Sequence, residues 1–220
     1  MQNRTWVFRL SLGFSGEPGG VCPLYINRQD IKQEIKSYKQ KVSSIDIDSY
    51  PELDMDTLKN ELFKKGKLRQ GWGMELNGMN LNLRQENPDN PDMPSEDWIK
   101  NFIKLSKLIW DEDVDCPLAM GRWNILKLMK NMRIGDTIFI PRIPNNDKFT
   151  VATVKKEYYF QKLNGFIGHG HIIEVEKMKE FSYKNHFPAV IFNPYRRAIC
   201  EVKEEHQNFI KLRNFINRYY

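Results

Sequence analysis

Cysteine is scarce in this sequence: Cys22, Cys116 and Cys200 are the only three among 220 residues, and they lie far apart. An odd number at this spacing indicates neither a disulfide framework nor a paired Cys-x-x-Cys metal site. We therefore expect a chain without disulfides in a reducing, cytoplasmic compartment. Long apolar runs are also missing, because no stretch approaches the about 18 residues of a membrane-spanning helix. The sequence predicts a soluble protein with no membrane partner.

The motifs of common enzyme classes are missing as well. The chain has no G-x-S-x-G nucleophile turn and no Walker phosphate loop. The acidic run at 111–115 has the alternating spacing of a calcium loop, but Cys116 and Arg122 stand where its glycine and glutamate are required. His169 and His171 could hold a metal from one face of a strand, although turn histidines are the favoured interpretation, since no third ligand is identifiable. We predict no metal, no cofactor and no catalytic residue, and so a binding module rather than an enzyme.

One pattern keeps an enzymatic alternative open. Glu201, Val202 and Lys203 end an apolar run, and an acid-x-lysine there could hold Mg²⁺ and position a water. A nuclease site also needs an acidic partner on a neighbouring strand, for which Glu174 and Glu176 are the candidates. Because three-residue patterns often arise by chance, a solvated charge pair is the favoured interpretation. The alternatives are therefore a Mg²⁺-dependent nuclease or restriction-type subunit using Glu201 and Lys203, or a protein-interaction subunit that uses its helical insertion.

Positive charge and aromatic side chains are present in excess. The sequence has 34 lysines and arginines against 28 acidic residues, which gives a net charge of +6 at pH 7. A moderate positive charge favours polyanionic partners. Phe, Tyr and Trp make up 12% of the chain, enough for a core and for a surface on which bases stack. These two features together favour nucleic acid as a partner.

Apolar periodicity divides the chain into a largely helical first part and a β-rich second part. Four short β-branched or aromatic runs after residue 133 predict an antiparallel meander or small barrel, which the first strand would join. The sequence therefore predicts one α+β domain over 1–220, with a loop-helix insertion at 74–110 and a C-terminal helix at 204–220. The other expected elements are a strand at 6–12, a helix opened by Asp30, a helix from Asp56 as N-cap to Gly66, loops at 66–73 and 77–94, a helix from Ser95 as N-cap to Trp110, and a helix at 121–132.

The stretch GRWNILKLMKNMRIGDTIFI resembles the EVE and YTH branches of the PUA-like superfamily. In those families a short N-x-L-x-x-M-K-x-G-D motif leads from a helix into the barrel, and their first and later strands are similar to TWVFRLS and GHGHIIEVEKM here. The resemblance implies a PUA-like small β-barrel or curved mixed sheet with flanking helices. The long insertion from Met74 to Trp110 departs from a bare EVE domain. The matched motif residues are Asn124, Leu126, Met129, Lys130, Gly135 and Asp136, with extra residues before the glycine.

Trp72 stands between Gly71 and Gly73 in a polar context, which makes it the tryptophan least typical of a core. Its position resembles that of the YTH tryptophan that forms one wall of a cage around a modified base. Trp123 is expected in the core, whereas Trp98 and Trp110 could be core or surface residues. The predicted base-binding residues are Trp72, Gln70, Asn77, Trp98, Tyr158, Tyr159 and Phe160, and the predicted phosphate-binding residues are Arg69, Lys155, Lys156, Arg196 and Arg197.

The combined expectation is a reader of a modified base, in DNA in preference to RNA. The base would be flipped out of the stack and held against an aromatic face, with Gln70 and Asn77 reading its polar edge. Similar domains act as DNA-sensing modules of modification-dependent restriction systems. The resemblance therefore implies a defence context, with a nuclease or NTPase subunit as a candidate partner.

Overall fold

The computed structural model describes residues 3–10, 22, 28–41, 53–76 and 78–220. Asn77 of the predicted base-binding set lies outside these residues, as does the end of the strand expected at 6–12. The helices are α1 (Arg28–Lys41), α2 (Met55–Lys65), α3 (Glu96–Trp110), α4 (Cys116–Leu126), α5 (Leu128–Asn131), α6 (Tyr183–His186) and α7 (Phe209–Tyr219), with a 3-10 turn at Ala189–Phe192. The strands are β1 (Thr5–Phe8), β2 (Lys67–Gln70), β3 (Glu75–Leu76), β4 (Met79–Asn80), β5 (Glu86–Asn87), β6 (Asn90–Pro94), β7 (Thr137–Pro141), β8 (Lys148–Phe160), β9 (His171–Ser182) and β10 (Ile199–Glu201).

Among the described residues, six strands form one curled, half-barrel sheet in the order β10-β1-β7-β8-β9-β2. β1 runs parallel to β7 and antiparallel to β10, which confirms that the first strand joins the C-terminal strands. The long antiparallel pair β8 and β9 shifts register near Thr153, Lys156 and Tyr159, and such bulges bend a sheet. The chain therefore has a mixed α+β fold in which helices flank the sheet.

Alternating side chains bury both faces of this sheet. Trp6 and Phe8 of β1 belong to a larger apolar cluster with residues of α3 and α4, whereas Val7 between them belongs to a second cluster with residues of α7. Trp123 is fully buried in the larger cluster, which confirms its expected place in the core. Trp98 is also fully buried there, so the open alternative for this residue is decided in favour of the core.

The Gly-Asp turn before β7 is held to β1 by hydrogen bonds. The buried Asp136 carboxylate accepts hydrogen bonds from the Trp6 indole nitrogen at 2.8 Å and from the backbone nitrogens of Arg4 at 2.9 Å and Arg133 at 3.0 Å. Gly135 has φ +92°, a conformation that glycine adopts without strain. This turn therefore connects β1 to β7 across about 130 residues of sequence.

Two segments expected as loops contain regular structure. Lys67–Gln70, inside the loop expected at 66–73, form the edge strand β2 by pairing with β9. The polar segment expected as a loop at 77–94 contains the hairpin β5–β6 and the strand β4, which pairs with β3 just before the segment. Local composition did not indicate β2 because it is stabilised by the distant strand β9, whereas the hairpin strands are short, at two to five residues each.

Helix caps were predicted more accurately from the sequence than strand pairing. Ser95 caps α3 as expected, with its hydroxyl accepting from the Trp98 backbone nitrogen at 3.1 Å. The cap of α2 is Asp54 and not the expected Asp56, since the Asp54 carboxylate accepts from the Thr57 nitrogen. Gly66 ends α2 in the left-handed conformation, as expected of a glycine after a helix.

The expectation that the cysteines form no disulfide is wrong. Cys22 and Cys116 are joined by a disulfide, with their Cα atoms 5.6 Å apart, and Cys200 takes no part in it. The spacing of 94 residues concealed this pair, because only the folded chain brings Cys22 to the start of α4. The disulfide removes the argument that led to a reducing compartment. In the part of the chain that is described, no helix is long and apolar enough to cross a membrane.

Candidate functional site

The segment around Trp72 crosses the start of β9 at very short range. The Gly170 nitrogen donates to the Gly73 carbonyl at 2.9 Å, and a Cβ atom on Gly170 would lie 2.6 Å from that carbonyl oxygen. A Cβ atom on Gly73 would overlap the Gly170 nitrogen. Both positions therefore require glycine, because the two backbones touch where they cross.

Two larger residues beside this crossing hold strained backbone conformations. Trp72 has φ +57° and His169 has φ +63°, in the left-handed region that side chains with a Cβ rarely adopt. Such a residue costs about 1–3 kcal/mol, and residues of this kind cluster at functional sites. The crossing thus fixes the position of the Trp72 ring against an unfavourable local preference.

The Trp72 ring is buried rather than displayed. Its exposed fraction is 6%, and it belongs to the larger apolar cluster. The Arg122 guanidinium, from α4, lies over the ring with its central carbon 4.1 Å from the ring centroid. A desolvated cation over an indole is stabilising by about 2 kcal/mol. Arg122 therefore occupies a face of the ring that a flat ligand could use for stacking.

Three polar side chains gather beside Trp72 on one face of the sheet. Gln70 and His171 are directly paired across β2 and β9, which places their side chains on the same face. The Tyr158 hydroxyl lies 3.1 Å from His171 Nδ1 and accepts from the Leu83 nitrogen at 3.0 Å. These three residues are all buried. Sequence reasoning missed His171 as a member of this group because its partners lie on other strands.

His171 is a neutral imidazole at physiological pH. Its exposed fraction is 0%, and burial lowers its pKa from 6.5 to about 3. The Trp72 backbone carbonyl acts in the opposite direction, and the charge of His169 lowers the pKa further. Burial also raises the pKa of Tyr158 above its ordinary value, so the phenol stays protonated. The polar cluster beside Trp72 therefore carries hydrogen-bonding groups without net charge.

One acceptor in this cluster lacks a hydrogen-bond donor among the described residues. Gln70 is 3% exposed, and its Oε1 atom is buried without a hydrogen-bond partner among the described residues. Leaving a buried polar atom unsatisfied costs about 1–3 kcal/mol. Native proteins rarely keep such atoms without a reason, which makes Gln70 the side chain most suggestive of a ligand.

The predicted aromatic set is divided between the two faces of the sheet. Phe160 contacts His171 with ring centroids 5.5 Å apart, on the same face as Tyr158. Tyr159 lies on the opposite face, where its hydroxyl donates to Glu174 at 2.8 Å. Tyr158 and Phe160 therefore lie together, whereas Tyr159 cannot share a pocket with them.

Trp98 is not placed as a free wall of a cage. Its indole nitrogen donates to the Leu81 carbonyl at 3.1 Å, and its ring packs against Trp123 and Phe102 with centroids 5.0 Å and 5.4 Å apart. These contacts pack α3 against the segment that contains Leu81 and against α4. Its helical spacing was compatible with this role, since Phe102 follows it by one turn.

Arg69 does not present its charge to solvent. It is 3% exposed and pairs with Glu61 of α2 at 2.8 Å, while its Nη1 atom donates to the carbonyls of Gln161 and His169. Burial raises the pKa of Glu61, but hydrogen bonds from Lys65 and Arg69 outweigh it and hold that pKa below its ordinary value. The pair is therefore an ionised structural contact between α2 and β2.

The other predicted phosphate ligands are exposed and form two pairs on different parts of the sheet. Lys155 and Lys156 are on β8, and Lys156 lies 4.4 Å from the Tyr159 ring centroid and 3.6 Å from a Glu174 oxygen. Arg196 and Arg197 precede β10, at the sheet edge opposite to β2. Arg196 lines a separate cavity of about 520 Å³. In the strand order, β8 and β10 are separated by β7 and β1.

The sheet does not bring together the residues of the proposed nuclease site. β10, which ends at Glu201, is separated from β9, which carries Glu174 and Glu176, by β1, β7 and β8. Lys203 donates its backbone nitrogen to His206 Nδ1 at 2.8 Å. Within the described residues, no group of three or more His, Cys, Asp and Glu side chains could hold a metal ion. These observations favour the solvated charge pair at Glu201 and Lys203.

The site thus belongs to a mixed α+β protein in which one end of the sheet buries a neutral polar cluster beside a strained tryptophan. No protein-family model, curated protein or solved structure matches this chain.

Proposed function

We propose that this protein is a nucleic-acid-binding reader of a modified base. The observation that carries the proposal is the Gln70 Oε1 atom, buried without a partner beside Trp72 and the neutral pair of His171 and Tyr158. A base offers a polar edge with donors and an aromatic face, which are the two kinds of contact this cluster can make. An amide acceptor next to uncharged donors and acceptors favours a neutral, hydrogen-bonding ligand over an ion.

Entry of a base requires a rearrangement at Arg122. The guanidinium now covers a face of the Trp72 ring, and the same planar group can stack on a base instead. A base placed between Arg122 and Trp72 would gain about 1–3 kcal/mol from stacking, which offsets a few kcal/mol for flipping. The base edge would donate a hydrogen bond to Gln70 Oε1, which has no partner among the described residues.

The resemblance and the charge support a more specific proposal about the family, the nucleic acid and the partner. The Gly-Asp turn and the curled mixed sheet support a PUA-like assignment of the EVE or YTH kind. The net charge of +6 supports a polyanionic partner, and DNA is proposed in preference to RNA, in a defence context with a nuclease or NTPase subunit as partner.

The test is a binding screen with the variant Gln70→Leu. Duplexes and single strands carrying methylated, hydroxymethylated and glucosylated bases are titrated at two salt concentrations against unmodified strands. We expect wild type to prefer one modified strand, and Gln70→Leu to lose this preference while its melting temperature is unchanged or raised, because the substitution removes an unsatisfied buried acceptor.

Gln161→Leu is the matched control, because Gln161 is exposed and lies next to the site. The control should keep the preference for the modified strand. If Gln70→Leu raises the melting temperature and leaves the preference intact, Gln70 is only an imperfection of the core and the proposal fails.

A further inference from the structure

A second site lies at the opposite end of the sheet from Trp72. β1 and β7 run parallel, so Arg9 and Arg142, which directly follow these strands, emerge at the same end. Gln70 and His171 lie at the other end of the β8–β9 pair, because His171 pairs with Phe160 whereas Pro141 pairs with Phe149. A cavity of about 500 Å³ opens between Arg9, Arg142 and Lys59 of α2.

Arg9 is held in position by neutral groups. Its Nε atom donates to the Tyr195 carbonyl at 2.8 Å, and its Nη2 atom donates to the Phe192 carbonyl at 2.8 Å. Carbonyl oxygens orient a guanidinium without cancelling its charge. The side chain is therefore fixed at the cavity with its positive charge intact.

Arg142 adds a second guanidinium without a counterion. It is exposed, and no ion pair is formed by its side chain among the residues that the structure describes. Burial lowers the pKa of Arg9, and the neighbouring charge of Arg142 lowers it further. Arg142 has φ +60°, so its position after β7 is also held against the local backbone preference. Two like charges thus converge on one cavity.

Lys59 is the third cation, and its neutralisation is incomplete. Its Nζ atom lies 3.2 Å from the Asp56 carboxylate, whose side chain is 83% exposed. An exposed pair of this kind is weak and exchanges readily with water and ions. The described residues that line the cavity include no carboxylate, and the amides of Asn145 and Asn146 add neutral donors.

We propose that this cavity binds a phosphate group. Two guanidiniums and an ammonium around one cavity suit an oxyanion, since an arginine fork donates two parallel hydrogen bonds to phosphate oxygens. The group comes either from the backbone of a nucleic acid or from a free phosphate compound. The site is separate from the proposed base pocket and does not depend on it.

The test uses inorganic pyrophosphate as a probe in isothermal titration calorimetry with the whole chain. We expect Arg142→Glu to weaken pyrophosphate binding by about tenfold or more, as loss of one charge-assisted contact implies. Arg142→Gly is the second variant, because glycine accepts a positive φ and the chain should fold at least as well without the charge. It should lose a similar factor in affinity.

Arg218→Glu is the matched control, because Arg218 is an exposed arginine of α7 that does not line the cavity. Its affinity for pyrophosphate should stay within about twofold of wild type, since charges beyond a Debye length are screened. If it weakens binding as much as Arg142→Glu, the effect is one of net charge and the proposal is overturned. Absence of pyrophosphate binding by wild type overturns it as well.

A second arm distinguishes the sources of the phosphate. If an unmodified duplex displaces pyrophosphate and binds Arg142→Glu more weakly, the site holds a nucleic acid backbone. If pyrophosphate binds but the duplex does not compete, the site holds a free phosphate compound. Gln70→Leu should leave pyrophosphate affinity unchanged in both cases, so failure of the base-reading proposal does not resemble failure of this one.

Discussion

The two ends of the sheet differ in the polar groups they carry: one end has buried, uncharged side chains and the other has charged side chains beside a cavity. At the Trp72 end, Gln70 and His171 are buried and uncharged, and the ring above them is covered by Arg122. At the other end, Arg9 and Arg142 carry charge beside an open cavity. A buried neutral cluster can discriminate among hydrogen-bonding patterns, whereas an open cationic cavity supplies attraction without such discrimination. The neutral polar cluster and the cationic cavity therefore lie at different ends of the sheet.

The largest expected effect is a difference in the free energy of unfolding between variants at the two ends. Trp72→Ala should lower the free energy of unfolding by about 3–5 kcal/mol, as truncation of a buried tryptophan usually does. Arg142→Ala is a closely matched control, because both residues have a positive φ, +57° and +60°, that alanine does not relieve. Its free energy of unfolding should change by less than about 0.5 kcal/mol. Urea denaturation measures both, and equal losses would contradict the assignment of one end to the core.

This expectation corrects the view of Trp72 suggested by sequence alone. Flanking glycines indicated a displayed ring, but one of them, Gly73, is required by a close crossing with the backbone of Gly170. A ring that stabilises the core can still stack on a base through a face vacated by Arg122. Gln70→Leu is for this reason a cleaner test of base recognition than Trp72→Ala.

The second effect is a pH dependence that arises from His171 at the Trp72 end. The pKa of His171 is about 3 in the folded chain against an ordinary 6.5, so between these values the unfolded chain binds a proton that the folded chain does not. Stability from this group is complete above pH 6.5 and falls by about 1.4 kcal/mol per pH unit as the pH drops. His171→Gln should remove this part of the slope in thermal melts between pH 7 and pH 4.

The control for this measurement is His206→Gln, which replaces a histidine in the turn before α7. It should retain the wild-type slope. A slope that persists in His171→Gln would mean that His171 is protonated in the folded chain. The neutral character of the Trp72 end would then be wrong.

The parts of the structure that sequence could predict are those encoded by near neighbours. The Ser95 cap, the apolar face of α3 and the burial of Trp123 each depend on residues within a turn or two. The first strand was correctly joined to the later strands because it had no sequential partner. Periodicity and caps therefore located most helices and the main sheet.

The parts that could not be predicted depend on distant partners. Arg69 was expected at a phosphate, but Glu61 neutralises it from a helix that returns alongside β2. Cys22 and Cys116 pair across 94 residues. Arg9 and Arg142 meet only because β1 and β7 run parallel, which no local pattern indicates. Charge convergence of this kind is a property of topology rather than of composition.

The smallest expected effect sharpens the cationic end. Asp56→Asn removes the exposed carboxylate that pairs with Lys59 at 3.2 Å, and so frees the ammonium for a bound phosphate. Pyrophosphate affinity should rise about two- to fivefold, the range that an exposed ion pair of about 0.4–1 kcal/mol allows. Asp89→Asn makes the same change of charge at an exposed hairpin position and should leave the affinity unchanged. If both variants raise it equally, Lys59 is not part of the site, and the cavity depends on Arg9 and Arg142 alone.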